Sequence, residues 1–309
     1  MIVVKAHSKE RMQSWFDVFA RELPDTEVVL WPHYGDPKNV EFVIASELPP
    51  GEFVKFTNLK FVASMAVGVE RLLGDATMPA HIPIVRSVNP ARGDTMTEYV
   101  VLHALRYARR IDEYAAQQRE GRWQRLADLA AEETGIGVMG LGNLGLMAAE
   151  RLRLFNFPVA GWVRHPREVA GIEIFAGKER FHDFLARSKI VVSLLPLTAE
   201  TRDLLDARAF AAMPRGGYLI NAGRGEQVVD EDLLAALDSG QLAGATLDVF
   251  RQEPLPPGHP FWSHPKITLT PHNAAATRQA HGADIVLENI RRARTGLPLV
   301  NLVDKAAGY

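Results

Sequence analysis

The stretch GIGVMGLGNLGLMAAERL, residues 135–152, sets Gly140, Gly142 and Gly145 in G-x-G-x-x-G spacing. A strand-like run precedes the glycines and a helical pattern follows them. That order gives the motif its weight, because the spacing alone is weak. The first glycine permits a tight turn, and the second lets backbone approach a pyrophosphate. The third lets helix and strand pack closely, so that the helix N-terminus faces the phosphates. The bland alternative is a glycine-rich turn with no ligand. Strand, loop and helix in this order favour a dinucleotide site, with Gly140, Gly142, Asn143, Leu144 and Gly145 as its loop.

Strand-like runs flank this unit on both sides. IVVKA, EVVLW, VEFVIAS, LKFVASMA and IPIVRS come before it, and FPVAGWV, KIVVSLLP, GGYLINAG, GATLDVF and KITLTPH come after. The first five are apolar throughout rather than alternating, as strands covered on both faces should be. Helical patterns separate many of them. In KERMQSWFDVFAREL, Met12, Trp15, Phe16 and Phe19 share one face. VDEDLLAALDSG reads as a helix with Asp230 as its cap. Residues 92–120 read as one long helix stopped by Gly121, able to carry the chain from one domain to the next. The expectation is an α/β protein of two domains. A first part of the substrate domain spans 1–95 and a cofactor domain spans 96–276. A return helix, from about 275 to 295, and a tail ending at 309 pack back on the first domain. The crossings near 90–100 and 276–285 are expected to act as a hinge.

Composition narrows the function classes. The chain has 309 residues, 47% hydrophobic and 23% charged, as in an ordinary globular protein. A net charge of −2 gives no global field for nucleic acid or anionic membrane, so neither is an expected partner. There is no cysteine, which excludes disulfides, thiolate catalysis and zinc–thiolate sites. The ten histidines show no close ligand pairing, so no metal is expected. MIVVKA enters a strand at once and does not read as a signal peptide, and no apolar run is long enough to span a membrane. A cytoplasmic location is expected.

VAGWVRHPRE, residues 159–168, lies where a dinucleotide site carries its acid, about 20 residues past the fingerprint. No acid stands there. Val163 is followed by Arg164, His165 and Arg167. An acid would accept from a ribose 2′-hydroxyl and repel a 2′-phosphate, whereas two arginines suit the phosphate. The expected cofactor is therefore NADP(H), with NAD(H) possible. The alternative is that both arginines are solvated surface side chains.

Three further residues follow strand-like runs: Arg224 in INAGRGE, Glu253 in LDVFRQEPLP and His272 in LTPHNAA. Carboxyl ends of strands are where open α/β sheets bind ligands. An arginine can grip a carboxylate and polarise a carbonyl. A histidine can give a proton to a developing alkoxide, and a carboxylate beside it favours the charged imidazolium. Spacing alone does not bring the three together, and a lone histidine is more often structural.

GLGNLG, LPLTAETRDLL, LINAGRGEQVVDEDLLAAL, GATLDVFRQEPLP and TPHNAA, in this order, resemble the signatures of the D-isomer-specific 2-hydroxyacid dehydrogenases. FWSHPKITLTPH, VDKAAGY and the arginines after the second strand resemble its glyoxylate/hydroxypyruvate reductase branch. The resemblance implies a Rossmann-type doubly wound cofactor domain inserted in a smaller flavodoxin-like substrate domain. It implies NADPH-dependent reduction of glyoxylate and hydroxypyruvate, with Arg224, Glu253 and His272 catalytic. It implies that SMAVGVERLL is a substrate-carboxylate loop, with Val67 and Gly68 offering N–H groups beside Arg224 and His272. Leu195, Pro196 and Leu197 would line the cofactor cleft with Ala222 and Gly223, and Asp248 would contact the nicotinamide carboxamide. AVGVE stands where many relatives have GAGVD, which leaves the loop's fine geometry open. A broad 2-oxoacid reductase and a non-enzymatic dinucleotide-sensing corepressor remain alternatives. The resemblance also implies a homodimer joined through the cofactor domains. Trp123, in a polar connection, would either reach the partner's pocket mouth or merely pack at an interface or on its own subunit.

Overall fold

The computed structural model describes residues 1–6, 9–65, 68–87, 90–127, 129–275 and 280–305. The chain divides into two compact units, Met1–Ala91 with Thr277–Tyr309, and Arg92–Ala276. The sequence reading puts these boundaries at 95/96 and 276/277. Of the second crossing, expected near 276–285 as part of a hinge, residues 276–279 lie outside the described residues and 280–285 begin the last helix.

The first unit opens with β1 (Ile2–Lys5), α1 (Lys9–Glu22), β2 (Val28–Leu30), β3 (Phe42–Ala45), β4 (Phe61–Ser64), α2 (Glu70–Leu73) and β5 (Ile84–Arg86). Its sheet is parallel, in the order β2-β1-β3-β4-β5. Successive side chains of a strand go to opposite faces. Ile2 and Val4 pack with Trp15 and Phe19 of α1, while Val3 joins Val43, Phe53 and Leu72 on the other side. Both faces are thus covered, which is why these strands read as unbroken apolar runs.

The second unit contains α3 (Pro90–Ala108, from its third residue on), α4 (Ile111–Arg119), β6 (Ile136–Met139), α5 (Asn143–Arg153), β7 (Val159–Val163), β8 (Glu173–Ala176), α6 (Phe181–Ala186), β9 (Ile190–Ser193), α7 (Ala207–Ala212), β10 (Gly217–Asn221), α8 (Asp230–Asp238), β11 (Leu242–Leu247) and β12 (Ile267–Leu269). Its seven strands are parallel, in the order β12-β11-β10-β9-β6-β7-β8. The chain winds outward from β6 to β8, then returns to β9 and winds the other way. The reversal lies between β6 and β9, and ligands of doubly wound sheets bind outside the carboxyl ends at such a point. The last helix, α9 (Ala280–Thr295), belongs to the first unit, where Val286, Leu287 and Ile290 complete the layer that holds Trp15 and Phe19. The expected α/β class and doubly wound cofactor unit are both present.

Two local expectations need correction, and one strand is added to those read from the sequence. The long helix over 92–120 is broken: Arg110 takes a left-handed φ of 55° between α3 and α4. Its side chain stabilises the turn, with Nε 2.7 Å from Glu113 Oε1 and Nη1 donating to Ala127 O at 3.0 Å. Asp230 is not a cap. It is the first residue of α8, and the capping position before it is Val229, which offers no side-chain cap hydrogen bond. Its carboxylate instead faces Arg251 at 3.6 Å and His259 at 3.5 Å. Finally, β8 was not foreseen, because EIFA is a short edge strand with an exposed glutamate. Among the described residues, no helix is long and apolar enough to cross a membrane.

Candidate active site

The glycine loop leaves β6 at the reversal point. Gly140 has φ +88°, a conformation that side chains with a Cβ rarely adopt. A Cβ on Gly145 would lie 1.9 Å from Gly140 O, so helix and turn are in direct backbone contact. Gly142 differs. A Cβ there would meet no heavy atom within 4 Å, so nothing in the protein itself calls for glycine. Gly142 also precedes α5 without giving it a side-chain cap. Open space before an uncapped helix N-terminus, with Asn143 and Leu144 in the first turn, suits a pyrophosphate.

Val163 is the buried last residue of β7, and the side chains after it are exposed. Arg167 turns back on the glycine loop, its Nη1 donating to Leu141 O at 3.0 Å. Arg164 Nη2 lies 3.0 Å from Glu200 Oε2, and Lys178 Nζ lies 3.7 Å from the other oxygen of that carboxylate. The cations at this edge thus already hold one anionic group. His165 is exposed.

Arg224 follows β10 on a loop fixed from within. Asn221 Oδ1 accepts from Gly223 N at 3.1 Å, and its Nδ2 donates to Arg224 O at 3.1 Å. Arg224 Nη1 donates to Gly223 O at 2.7 Å. Ala222 is buried and donates its N–H to Ser193 O at 3.1 Å. Gln227, fully buried, joins this loop to the one after β9. Its Oε1 accepts from Ser193 Oγ at 2.9 Å and from Arg224 N at 3.3 Å. Its Nε2 donates to Leu195 O at 2.9 Å and Pro196 O at 3.1 Å. Sequence reading passed over Gln227, although it lies inside the motif INAGRGEQVVD. Leu195, Pro196 and Leu197 are half-buried.

Glu253 and His272, after β11 and β12, meet. His272 Nδ1 lies 2.7 Å from Glu253 Oε2, while Glu253 Oε1 accepts from Phe250 N at 3.0 Å. The bond to Glu253 raises the His272 pKa. Burial and the Arg224 charge oppose that shift, and the Glu253 and Asp248 charges add to it. Burial works against an ionised Glu253, yet the bonds from His272 and the Phe250 N–H outweigh it and hold the carboxyl below its usual range. Arg224 acts electrostatically on both groups, so the three polar residues share one field.

Asp248 is buried beneath this pair. Its Oδ1 accepts from Thr270 Oγ1 at 2.6 Å and Asn273 N at 2.9 Å, and its Oδ2 accepts from Ala274 N at 2.9 Å. The carboxylate expected at a nicotinamide thus also ties down the histidine loop. The anticipated substrate loop lies in the other unit. Val67 falls outside the described residues. Gly68 follows β4, and its carbonyl faces Ser64 Oγ at 3.4 Å.

The chain is similar to known proteins over its whole length. Residues 101–274 match the family model for the D-isomer specific 2-hydroxyacid dehydrogenase, NAD binding domain. Glyoxylate/hydroxypyruvate reductase A of Yersinia enterocolitica is 36% identical over 314 aligned positions, covering 100% of both chains. A D-isomer specific 2-hydroxyacid dehydrogenase of Xanthobacter autotrophicus, solved with NADPH and MES, superposes with a TM-score of 0.94 at 39% identity. That match covers 100% of this chain and 99% of the other. An NADPH-dependent glyoxylate/hydroxypyruvate reductase of Sinorhizobium meliloti, solved with NADP and sulfate, gives 0.91 at 34% identity, with 100% and 99% covered. With the glycine loop at the sheet reversal and relatives matched over their full length, this chain belongs to the D-isomer specific 2-hydroxyacid dehydrogenases.

Proposed function

We propose that the protein reduces small 2-oxoacids, glyoxylate and hydroxypyruvate foremost, to glycolate and D-glycerate with NADPH. The observation that carries this reading is the Glu253–His272 pair, on the same sheet edge as the glycine loop. The names of the Yersinia and Sinorhizobium relatives support the substrate class, and the NADPH and NADP in the solved relatives support the cofactor.

Gly140, Gly142, Asn143, Leu144 and Gly145 would hold the pyrophosphate, with Leu195, Pro196, Ala222, Gly223 and Asp248 along the cleft. Arg164, His165 and Arg167 would take the 2′-phosphate, with Val163 in place of an acid and the phosphate displacing Glu200 from Arg164. When bound, the reduced nicotinamide supplies a hydride to the carbonyl carbon. Arg224 grips the substrate carboxylate and polarises the carbonyl. His272, protonated and held through Nδ1 by Glu253, gives the proton on Nε2 to the carbonyl oxygen. Carbon gains hydride and oxygen gains the proton, leaving the hydroxyacid and the oxidised dinucleotide.

The protein would act as a homodimer joined through the cofactor-binding units. Exposed Leu102, Ile111 and Trp123, on and after α3 and α4, support that surface. The test is NADPH consumption on adding glyoxylate, hydroxypyruvate, pyruvate or phenylpyruvate in turn. Fast consumption with the first two and slow consumption with phenylpyruvate is expected. No consumption with any of them would overturn the reading.

A further inference from the structure

We propose that Tyr99 and Thr270 are positioning residues for His272: a part-buried hydroxyl chain from α3 through Thr270 to Asp248 sets the loop that aims the imidazole. The inference rests on the reading of His272 as proton donor.

The direction of each bond follows from what each group can do. Asn273 and Ala274 offer only N–H groups to Asp248, so the carboxylate is an acceptor. Thr270 Oγ1, 2.6 Å from Asp248 Oδ1, therefore donates its one proton there. Its oxygen is left to accept, and Tyr99 OH lies 2.7 Å away. Tyr99 is buried, and burial pushes its pKa further up, so it stays a neutral phenol and donates. The chain runs Tyr99 to Thr270 to Asp248 with no proton left over.

Asp248 holds the loop from both ends of its residue. Its carboxylate takes the N–H groups of Asn273 and Ala274, and its backbone carbonyl takes the N–H of His272 at 2.9 Å. Between these anchors His272 adopts φ +53°, an uncommon conformation for a residue with a side chain. Such a residue persists where its surroundings over-determine it. Here the anchors supply that constraint, and the Nδ1 contact with Glu253 depends on it. On the other side Tyr99 is itself fixed. Its ring packs on His103 with centroids 4.5 Å apart. Burial and the Arg106 charge lower the His103 pKa to about 4, so that ring brings no charge into the chain at neutral pH. Two turns along α3, Tyr107 OH makes a second link, 2.6 Å from Thr246 Oγ1 on β11. Both phenols face the strands that carry Asp248 and His272.

The charged groups that face His272 are Glu253, Asp248 and Arg224. Loosening the loop weakens the Glu253 bond first, since hydrogen bonds are the most dependent on direction. The His272 pKa should then fall toward that of free imidazole.

The experiment uses the full chain and four variants: Tyr99→Phe, Thr270→Val, Thr270→Ser and the Tyr99→Phe/Thr270→Val double. Histidine NMR gives the His272 pKa without cofactor, and steady-state rates give kcat and KM for glyoxylate against pH. Thr270→Val should lower kcat about tenfold with a smaller change in KM, and should lower the His272 pKa. Thr270→Ser should restore both. Tyr99→Phe should shift both in the same direction but less, and the double variant should be no worse than Thr270→Val. If Tyr99→Phe and Thr270→Val lower Tm yet keep the wild-type pKa and pH profile, the chain is only structural and the proposal fails. If Thr270→Val does not fold, Tyr99→Phe decides by the same two readouts. His272→Ala runs beside them: normal turnover there would remove the proton-donor reading, while the NMR shift would still report the positioning.

Discussion

His272 Nδ1 stands 2.7 Å from Glu253 Oε2, which commits that nitrogen to the carboxylate and leaves Nε2 for chemistry. The bond raises the His272 pKa, because it favours the charged ring. Reduction needs imidazolium and oxidation needs neutral imidazole. Reduction of 2-oxoacids should therefore fall as pH rises through the raised pKa, while oxidation of hydroxyacids should rise. His272→Ala should lose mainly kcat, by about two to four orders of magnitude for a general acid. Near-normal turnover in that variant would remove the assignment.

Replacing Glu253 by Gln tests the other half of the pair. The amide carries no charge, so the His272 pKa should fall and the reductive limb should move to lower pH. Stability should respond too. A raised histidine stabilises below its unfolded pKa and loses this as pH rises through the folded value. A depressed carboxylate stabilises above its unfolded pKa and loses this as pH falls through the folded value. The pair thus contributes most between the ordinary carboxylate and imidazole ranges, so Glu253→Gln should lower Tm most in that window and flatten the fall of Tm on either side of it. An unchanged pH profile of kcat would show that Glu253 does not tune the histidine.

Arg164 and Glu200 form a half-exposed ion pair, side chains 50% and 45% accessible, at the edge proposed for the 2′-phosphate. Arg164→Ala should weaken NADPH by about tenfold, near the low end for a hydrogen bond to a charged group. NADH should be little affected. Exposed pairs are worth about 0–1 kcal/mol, so a phosphate could displace Glu200 at small cost. Glu200→Gln should then tighten NADPH by up to about fivefold, with no gain for NADH. Equal changes for both dinucleotides, measured by fluorescence titration, would take the phosphate away from this edge.

How much of this could be read from the residues alone depends on how local each signal is. The glycine loop was legible because its reasons lie within a few residues: the positive φ of Gly140 and the contact of Gly145 with Gly140 O. The strands covered on both faces were legible as apolar runs. The break at Arg110 was not, since only the reach of its guanidinium to Glu113 and Ala127 marks it. Nor was the edge strand β8, which has too little buried surface to pattern its sequence. Arg224, Glu253 and His272 could be named from their motifs, but their shared field depends on three neighbouring parallel strands, and even Glu253 and His272 are 19 residues apart in the chain. Gln227 shows the limit clearly. A glutamine in a loop reads as solvated, and only its complete burial reveals that it joins two loops.

Gln227→Leu should therefore be costly although no charge is lost. Leucine keeps much of the volume but accepts nothing from Ser193 Oγ or Arg224 N, and gives nothing to Leu195 O or Pro196 O. Each buried polar group left unpaired costs about 1–3 kcal/mol. A loss of several kcal/mol in denaturant unfolding is expected, with Glu as a poor replacement because it cannot donate when ionised. The loops carrying Arg224 and Leu195 would also drift, so KM for both substrate and dinucleotide should rise. A variant with wild-type stability would mean that water or neighbours take over all these bonds.

Trp123 makes the last test. It lies in the connection between α4 and β6, and its side chain is fully exposed, so its own chain does not cover it. A free indole of this size favours contact, because its large apolar surface gains on leaving water. The proposed homodimer would supply that contact, since Leu102 and Ile111 are exposed on the same unit. Two outcomes are then distinguishable. If Trp123 reaches the partner's pocket mouth and narrows it, Trp123→Ala should keep the dimer by sedimentation. Its activity should broaden toward bulky 2-oxoacids such as phenylpyruvate, with the rate on glyoxylate little changed. If Trp123 only fills the interface, the same variant should dissociate on dilution and leave the substrate ranking as it was. Sedimentation velocity and a 2-oxoacid panel on one preparation decide between them. A variant that neither dissociates nor changes its ranking would show that this side chain serves neither role.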